Sequence, residues 1–528
     1  MKPSHYNYHS NFALVFVILL AFSWATAAVA QTHDQFLRCL SLYSNDSSSF
    51  SKLVYTRNNR SYSSILESSI QNLRFDTKAT PKPLAIVTPL HASHIQATIL
   101  CSKRHGLQIR TRSGGHDFEG LSYVSQVPFV LIDLVNLRSI DVDVGNRVAW
   151  VQSGATLGEL YYRINEKTRT LAFPAGIFST IGVGGLLSGG GYGVFFRKYG
   201  LAADNVIDAH VIDTNGRILN RKSMGEDLFW AIRGGGGGSF GIVLDWKLNL
   251  IPVPPTVTVF SVTKTLEQNS TQLIHQWQNI AHRLPKDVFL TVVISKPNET
   301  IQATFSGMFL GRVDDLISLM ETRFPELGLV KQDCIETSWI QGLFPNKTLE
   351  SLLNRTAADK TWFKTKSDYV KELIPESVFA EIWPRYFNED EGRYGSIVLV
   401  PYGGEMEEIP ESQTPFPRRA GNMYKIIYTI GREEEENLDF QRYLSWIRRF
   451  YEDMTPYVSK SPREAYVNYR DLDLGINNRS GITSYAEASI WGLKYFKNNF
   501  RRLVRVKTLV DPQNFFKHEQ SIPSLSSW

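Results

Sequence analysis

Two glycine-rich stretches, one of them built around a histidine, contain the residues of this chain best suited to do chemistry. Glycine has no Cβ, so backbone in such stretches can approach a large ligand closely, and unpaired N–H groups there can hold phosphate oxygens. A histidine in the first stretch adds a nucleophile. Together they predict a bound dinucleotide, tethered through His116. The residues expected to hold it are Arg112, Ser113, Gly114, Gly115, His116, Asp117, Gly182, Gly184, Gly185, Ser188, Gly189, Tyr192 and Gly193.

The sequence argues against three other kinds of site: a Rossmann dinucleotide site, a serine-hydrolase site and a metal site. The stretch Gly236–Gly241 matches the G-x-G-x-x-G pattern, but a strand follows it, whereas the Rossmann motif opens a helix. The sequence has no G-x-S-x-G elbow of a serine hydrolase, and no His or Cys set with metal-ligand spacing, so no metal site is expected. A lone loop histidine is most often a surface or hydrogen-bonding residue. The adjacent Ser-Gly-Gly and the second glycine stretch favour chemistry at His116.

The elements that must position these loops alternate between strands and helices. Leu107–Thr111 alternates in polarity like a strand and leads into the histidine loop. Thr156–Asn165 is predicted as a helix, with Thr156 as its N-cap and Glu159 three residues on. This alternation indicates an α/β arrangement in the first half of the chain. The other predicted elements there are strands at Lys82–Val87, Phe129–Asp133, Arg147–Val151, Val206–Ile212, Ile218–Leu219 and Gly241–Leu248, and helices at His94–Lys103 and Asp227–Arg233.

The composition changes after the proline-rich stretch Pro252–Pro255, which marks a domain boundary. Beyond it, strands and long helices with fewer glycines indicate an α+β domain. The chain then carries Tyr466–Asp471, and Ser489–Val506 is expected to be one helix. The predicted division is a signal peptide at 1–30, an N-terminal segment at 31–77, a cofactor domain at 78–252, a substrate domain at 253–465 and a returning C-terminal segment at 466–528.

The N-terminus predicts export of the protein. Phe12–Ala30 holds one apolar run and ends in Ala-Val-Ala, a signal-peptidase pattern, and the run is short for a membrane anchor. The chain of 528 residues has a net charge of +5 without basic runs, so no nucleic-acid partner is expected. We expect a monomer without stable membrane insertion, in the secretory pathway and then the extracellular space (apoplast) or vacuole.

In an exported protein, N-glycosylation sites can be used and cysteines can form disulfides. Three cysteines allow one intrachain disulfide at most, and we favour Cys39 with Cys101, leaving Cys334 as a buried free thiol. Seven Asn-x-Ser/Thr sites predict a glycoprotein: Asn45, Asn59, Asn269, Asn298, Asn346, Asn354 and Asn478.

Six motifs spread over nearly the whole mature chain resemble one protein family. They are the segments that begin at Arg112, Phe173, Gly182, Ser188, Lys222 and Asn468. They are similar to the plant berberine-bridge-enzyme-like flavoproteins, and other short segments are especially similar to the cannabinoid-synthase and mulberry Diels–Alderase branch. The resemblance implies FAD in an α+β fold: a vanillyl-alcohol-oxidase-type (PCMH-type) FAD-binding domain with a substrate domain of antiparallel sheet covered by helices. It also implies covalent attachment of His116 to the 8α-methyl of the flavin, with Asn468 near the cofactor.

Three positions depart from that family. Phe178 stands where a cysteine makes a second bond to the flavin, so at most the His116 link remains. Ile427, expected on the same strand face as Lys425, stands where a glutamine is frequent, and Leu186 replaces a common histidine. The departures fit either neutral drift in an oxidase or a site moved toward an apolar binding pocket.

The resemblance suggests Tyr469 as a catalytic base, which requires that nearby cations lower its pKa. Lys425 and Arg442 are the candidate donors, and Tyr466 is expected to face away from Tyr469. The favoured function is a [4+2] cycloaddition of prenylated plant phenolics, such as a chalcone dienophile and a diene. The alternatives are an FAD-dependent oxidase of a phenolic, alkaloid or carbohydrate that reduces O2 to H2O2, and a non-enzymatic flavin-binding defence protein.

Overall fold

The computed structural model describes residues 31–43, 50–356, 360–432, 440–478 and 481–525. The predicted signal peptide and Asn45 lie outside these ranges. Six of the seven predicted glycosylation asparagines lie inside them, and all six are exposed. Within the described part of the chain, no helix is long and apolar enough to span a bilayer.

Eleven strands precede the proline-rich stretch and form three sheets. The first sheet has the order β1-β2-β4-β3, with β2 and β3 parallel to β4. The second is antiparallel, with the order β5-β6-β10-β8-β9, and β7 pairs with β11. The strands are β1 (Val54–Thr56), β2 (Ala85–Val87), β3 (Gln108–Arg112), β4 (Phe129–Asp133), β5 (Ile140–Asp143), β6 (Val148–Gln152), β7 (Leu171–Ala172), β8 (Val206–Ile212), β9 (Ile218–Leu219), β10 (Ile242–Asn249) and β11 (Ile251–Pro252).

The helices of this first half pack against the two larger sheets. The helix after the first glycine stretch begins with the expected capping box, because Thr156 and Glu159 bond each other's backbone N–H groups. The helices are α1 (Tyr62–Glu67), α2 (Ala92–Arg104), α3 (Leu157–Lys167), α4 (Val183–Ser188), α5 (Phe196–Tyr199) and α6 (Arg221–Ile232).

The strands after Pro252 form one antiparallel sheet of seven, in the order β15-β12-β14-β13-β17-β18-β16. Alternate side chains such as Phe260, Val292, Ile397 and Tyr428 are buried on its helix-covered face. Sequence reasoning overlooked β15, β16 and β17. The strands are β12 (Val257–Thr265), β13 (Val288–Ser295), β14 (Gln302–Phe309), β15 (Cys334–Thr337), β16 (Trp362–Val370), β17 (Gly395–Pro401) and β18 (Tyr424–Arg432).

The C-terminal segment differs from the prediction. The expected helix Ser489–Val506 is two helices, because Lys497 adopts a left-handed backbone (φ 46°) that ends the first of them. The second-half helices are α7 (Ser270–Ile280), α8 (Val313–Arg323), α9 (Trp339–Leu343), α10 (Glu376–Phe387), α11 (Glu405–Glu408), α12 (Phe440–Asp453), α13 (Tyr485–Phe496) and α14 (Asn499–Val510).

These elements confirm an α+β fold with an antiparallel second sheet covered by helices. The sheets change between Pro252 and Val257, while the domain limits remain a prediction. Cys39 and Cys101 form a disulfide that ties the N-terminal segment to α2. Cys334 is half-buried rather than buried, because it lies on the edge strand β15.

Candidate active site

The histidine loop starts where β3 ends, and its first side chains hold the loop rather than a ligand. The guanidinium of Arg112 is fully buried and pairs with Asp133 at 2.6 Å. It also donates to the carbonyl oxygen of Ile65 at 2.7 Å. Ser113 donates its hydroxyl to the carbonyl of Ser153. The side chains of Arg112 and Ser113 thus bond within the protein, and the assignment of these residues to the cofactor site stays a prediction.

Several glycines permit close approach to other parts of the protein, and Gly114 permits it between the two loops. A Cβ on Gly114 would lie 2.3 Å from the backbone nitrogen of Gly182, and one on Gly193 would lie 1.7 Å from the carbonyl oxygen of Ala175. A Cβ on Gly189 would similarly lie 1.9 Å from Oδ1 of Asn468. Gly185 differs, since it is exposed and an added Cβ would meet nothing within 4 Å. The packing of loop against loop was not foreseen from composition.

The histidine loop nevertheless offers an anion cradle. The backbone N–H groups of Gly114, Gly115 and His116 donate to no acceptor among the residues that the structure describes. Gly115 has a φ of 74°, a left-handed conformation that turns successive N–H groups toward one side. Such a nest fits the pyrophosphate of a dinucleotide.

His116 has the protonation state of a nucleophile. Its Nε2 lies 3.0 Å from Oγ1 of Thr180, while Nδ1 has no partner within the described ranges. Burial lowers the pKa of His116 to about 4, so the imidazole is neutral at physiological pH. Asp117 shapes the loop by accepting the N–H groups of Glu119 and Leu121. Thr180, which orients the ring, was missed from the sequence because its pairing with His116 joins distant loops.

A second cluster of three tyrosines surrounds the amine of Lys425. The hydroxyls of Tyr192 and Tyr469 are hydrogen-bonded to each other. Nζ of Lys425 lies 3.4 Å from the ring centroid of Tyr192, 4.6 Å from that of Tyr466 and 4.8 Å from that of Tyr469. A turn closed by the Tyr469 N–H on the Tyr466 carbonyl brings both rings into the cluster. The segment is a turn and not a strand, so the expectation that Tyr466 would face away from Tyr469 is wrong.

Burial disfavours charge in this cluster. Lys425 is 1% exposed and forms no ion pair with any described residue, and burial holds its pKa well below the usual value. Burial also raises the pKa of Tyr469, while the hydrogen bond from Tyr192 opposes that rise. The lowered pKa that a tyrosine base requires is therefore not found at Tyr469. A proton that left a tyrosine would have the Lys425 amine beside it.

Arg442 does not belong to this site. Its side chain is 58% exposed on α12 and pairs with Glu391 at 2.7 Å. The helix carries it on the outer surface, so its predicted role as a donor to substrate is wrong.

Phe118 and Asn468 connect the histidine loop with the tyrosine cluster. Phe118 was missed from the sequence, and Asn468 was predicted to lie near the cofactor. The ring of Phe118, two residues after His116, stacks on Tyr469 with centroids 5.3 Å apart and meets Phe363 edge-on. Asn468 donates to the carbonyl of Leu186 and to the hydroxyl of Tyr466, both at 3.0 Å. Its shown contacts are thus within the protein. Its position two residues after His116, in the motif that begins at Arg112, was the sequence signal that could have placed Phe118 near the site.

Apolar side chains complete the wall of the cluster. Ile427 packs against the group that contains Tyr192 and Tyr469, as does Val398 opposite it on β17. Ile427 and Lys425 therefore share one face of β18, as the alternation predicted. Phe178, two residues before Thr180, is 65% exposed.

The chain matches two family models. The model described as an FAD binding domain matches residues 83–221, and the one described as "Berberine and berberine like" matches residues 465–523. The first covers both glycine stretches, and the second covers Tyr466, Asn468 and Tyr469.

Curated and solved proteins resemble nearly the whole chain. A tetrahydroberberine oxidase from Berberis wilsoniae is 54% identical over 509 residues, which cover 94% of each protein. The solved structure of berberine bridge enzyme-like 28 from Arabidopsis thaliana is 51% identical, with a TM-score of 0.88 over 93% of this chain and 99% of that one. A berberine bridge enzyme variant described as a reticuline dehydrogenase is 41% identical, with a TM-score of 0.87, and covers 93% of this chain and 100% of its own.

Proposed function

The chain belongs to the berberine bridge enzyme-like family of FAD-dependent oxidoreductases, and from this premise we propose that it oxidises a small aromatic alcohol. In this proposal Tyr469 takes the hydroxyl proton of the substrate and Lys425 receives it. Bound FAD supplies the acceptor for the hydride that leaves the adjacent carbon. For an alcohol, loss of one proton and one hydride gives the carbonyl product.

The observation that carries the proposal is the buried amine of Lys425, 3.4 Å from the ring centroid of Tyr192, beside the hydrogen-bonded pair Tyr192 and Tyr469. Burial lowers the pKa of this amine, which favours its uncharged form. A buried tyrosinate alone is strongly disfavoured. Transfer of its proton to Lys425 creates an ion pair instead, with Nζ 4.8 Å from the ring centroid of Tyr469. For charges about 5 Å apart this attraction is about 3.5 kcal/mol at an effective dielectric constant of about 20. That energy favours ionisation by about 300-fold. The cluster therefore acts as a base without a permanent charge.

The residues present fit FAD. The nest at Gly114–His116 suits the pyrophosphate, and Gly185 leaves open space on the neighbouring helix α4. Nδ1 of neutral His116 is the nitrogen left for covalent attachment, because Nε2 is held by Thr180. Phe178 has no thiol, so the attachment would be single.

The earlier preference for cycloaddition finds no support in the site or in the relatives. A [4+2] addition removes no proton, and a buried amine beside a tyrosine pair serves proton removal. The named activities of two relatives are an oxidase and a dehydrogenase. Cycloaddition therefore becomes an outcome of the test below.

Export, glycosylation of the exposed asparagines, a monomeric state and final placement in the apoplast or vacuole remain proposals. The disulfide between Cys39 and Cys101 supports an oxidising route. Enzymatic removal of N-glycans from protein secreted by plant cells tests the first two, with a stepwise fall in mass as the expected result.

One assay separates oxidation from cycloaddition. Holoenzyme is incubated in air with 4-hydroxybenzyl alcohol, and separately with a prenylated chalcone and a diene, while oxygen and product mass are followed. We expect a product two hydrogens lighter than 4-hydroxybenzyl alcohol, with oxygen or an added electron acceptor consumed. A product equal in mass to chalcone plus diene, with no acceptor consumed, would overturn the proposal.

A further inference from the structure

A buried ion cluster connects the histidine loop to the segment that carries Tyr469. Nζ of Lys364 on β16 bonds an oxygen of Glu119 and lies 2.6 Å from Oδ1 of Asp471. Lys366, on the same face of the strand, lies 2.6 Å from the other oxygen of Asp471. All four side chains are almost fully buried. Two lysines and two carboxylates thus meet out of contact with solvent, and these four residues are the ion cluster.

Lys364 joins the two parts of the chain on which the proposed chemistry depends. Glu119 lies three residues after His116, and Asp471 lies two residues after Tyr469. One ammonium group therefore bridges the loop expected to carry the flavin and the segment that carries the proposed base.

Aromatic contacts run beside the ion cluster. The ring of Phe118, the residue before Glu119, stacks on Tyr469 with centroids 5.3 Å apart. The ring of Phe363, the residue before Lys364, meets Phe118 edge-on at 5.2 Å. Successive side chains of a strand point to opposite faces, so β16 supplies Phe363 to the aromatic contacts and Lys364 to the ion cluster. A displacement within the ion cluster therefore reaches the aromatic contacts through adjacent backbone.

The two buried lysines Lys364 and Lys425 differ in their preference for charge. Lys425 has no carboxylate partner among the described residues, and burial lowers its pKa. Burial alone would also lower the pKa of Lys364, but Asp471 and Glu119 outweigh this effect and raise it. Lys364 is therefore held as a permanently charged link, which distinguishes it from the proton-accepting amine of Lys425.

Each carboxylate keeps another cation when Lys364 is removed. Oε2 of Glu119 lies 3.0 Å from Nη1 of Arg74, and Asp471 stays bonded to Lys366. Both carboxylates contact the same Nζ, so without Lys364 they would face each other with no cation between them. Like charges repel strongly in a buried site. The expected result is a separation of the two segments, with the fold retained by the remaining ion pairs.

The histidine loop is the segment expected to move. The turn that carries Tyr469 is held to β16 at a second place, because Ser367 accepts the N–H of Tyr466 at 3.0 Å. The arrangement of Tyr469 beside Lys425 should therefore persist when Lys364 is lost, while the distance from the loop to Tyr469 increases.

We propose that Lys364 is a positioning residue of the active site. With Glu119 and Asp471 it fixes the distance between the histidine loop and Tyr469, and hence between the loop expected to carry the flavin and the base. A misplacement of about 1 Å can lower an enzymatic rate about a hundredfold, so this distance matters for oxidation of the substrate. The inference rests on the proposed function for the role of Tyr469. It adds a residue that acts on the reaction through its neighbours.

Flavin reduction in Lys364→Met tests this role. Anaerobic mixing of the holoenzyme with 4-hydroxybenzyl alcohol, over a range of concentrations and pH, gives the limiting rate, the apparent Kd and the pH profile. We expect the limiting rate to fall at least about tenfold. The Kd and the pH profile should stay unchanged, because the variant removes no group that binds substrate or accepts its proton.

Two further variants separate positioning from stability. Adding Glu119→Gln to Lys364→Met removes one of the two like charges, so the double variant should recover part of the lost rate. It also replaces Lys364→Met if that variant fails to fold, with a rate still below that of wild type. Lys507→Met is the matched control, since Lys507 is equally buried and pairs with Asp511 at 2.7 Å on α14. It should lower the Tm and leave the limiting rate unchanged.

A limiting rate in Lys364→Met equal to that in Lys507→Met would overturn the inference. A shifted pH profile would also overturn it, because the charge of Lys364 would then act on the base itself.

Hydrogen–deuterium exchange of the resting holoenzyme tests the link without turnover. In Lys364→Met, exchange should become faster in residues 114–121 and stay unchanged in residues 466–469, whereas unchanged exchange in both segments would overturn the inference. If the wild-type enzyme oxidises no alcohol, the proposed function fails, and the exchange measurement still decides whether Lys364 holds the loop. If the wild-type enzyme oxidises the alcohol and Lys364→Met does so equally fast, the inference alone fails.

Discussion

Replacement of Lys425 by methionine probes the base without changing the shape of the site greatly. Methionine keeps an unbranched apolar chain against Tyr192 but removes the amine, whose Nζ lies 4.8 Å from the ring centroid of Tyr469. An ionised Tyr469 then loses its counter-charge. The lost attraction of about 3.5 kcal/mol corresponds to a fall of about 300-fold in the rate of substrate oxidation at neutral pH. The rate should recover as pH rises, because burial raises the pKa of Tyr469 and the tyrosine now ionises unaided.

The assay is the rate of loss of the flavin's visible absorbance after anaerobic mixing of holoenzyme with 4-hydroxybenzyl alcohol, measured across pH. Lys264→Met on β12 is the control, since Lys264 lies on the same sheet but at a position of the other face. An unchanged visible spectrum and Tm would show that the flavin and fold are intact. A Lys425→Met enzyme within threefold of wild type, with the same pH profile, would refute the reasoning.

Three further perturbations follow from the contacts. Thr180→Val removes the hydroxyl 3.0 Å from Nε2 of His116, so the fraction of flavin that stays with the protein after acid precipitation should fall, whereas full retention would show that Thr180 does not orient the ring. Arg197→Met removes a buried guanidinium that donates to the carbonyls of Tyr402, His282, Leu284, Pro285 and Val288. We expect the free energy of unfolding to fall by about 3 kcal/mol or more. A fall of less than about 1 kcal/mol would contradict the importance of these bonds. Asp473 pairs with Lys366 at 2.9 Å. Partial burial would raise the pKa of its carboxyl, but Arg448 and the lysines outweigh this effect and lower it. Asp473 therefore stabilises the folded protein above its unfolded pKa of about 4, and this stabilisation is lost as pH falls below that value. Asp473→Asn should therefore flatten the acid limb of a Tm–pH curve, and an unchanged limb would count against this assignment.

Local patterns were sufficient to predict the elements that carry the histidine loop. Polarity alternation located β3 to within one residue at each end, and the Thr156–Glu159 pair identified a real capping box. Period-two alternation also placed Lys425 and Ile427 on one face of β18, because that rule depends on backbone geometry alone.

Features that depend on contacts between distant parts of the chain could not be predicted from local sequence patterns. Tyr466 and Tyr469 lie in a turn that the neighbouring strand β16 helps to fix, since the Ser367 hydroxyl accepts the N–H of Tyr466. Arg442 was assigned to the site on residue type, while the amphipathic face of α12 directs it to Glu391 outside. The raised pKa of Tyr469 and the lowered pKa of Lys425 both follow from burial, which no linear pattern contains.

The most direct test of the account is a single anaerobic turnover by the holoenzyme with an oxidisable aromatic alcohol, compared with Tyr469→Phe. Loss of visible flavin absorbance with one equivalent of aldehyde formed, slowed at least a hundredfold in Tyr469→Phe with an unchanged flavin spectrum, is the predicted result. Equal rates in the two proteins would contradict the assignment of Tyr469 and Lys425 as the proton-accepting pair.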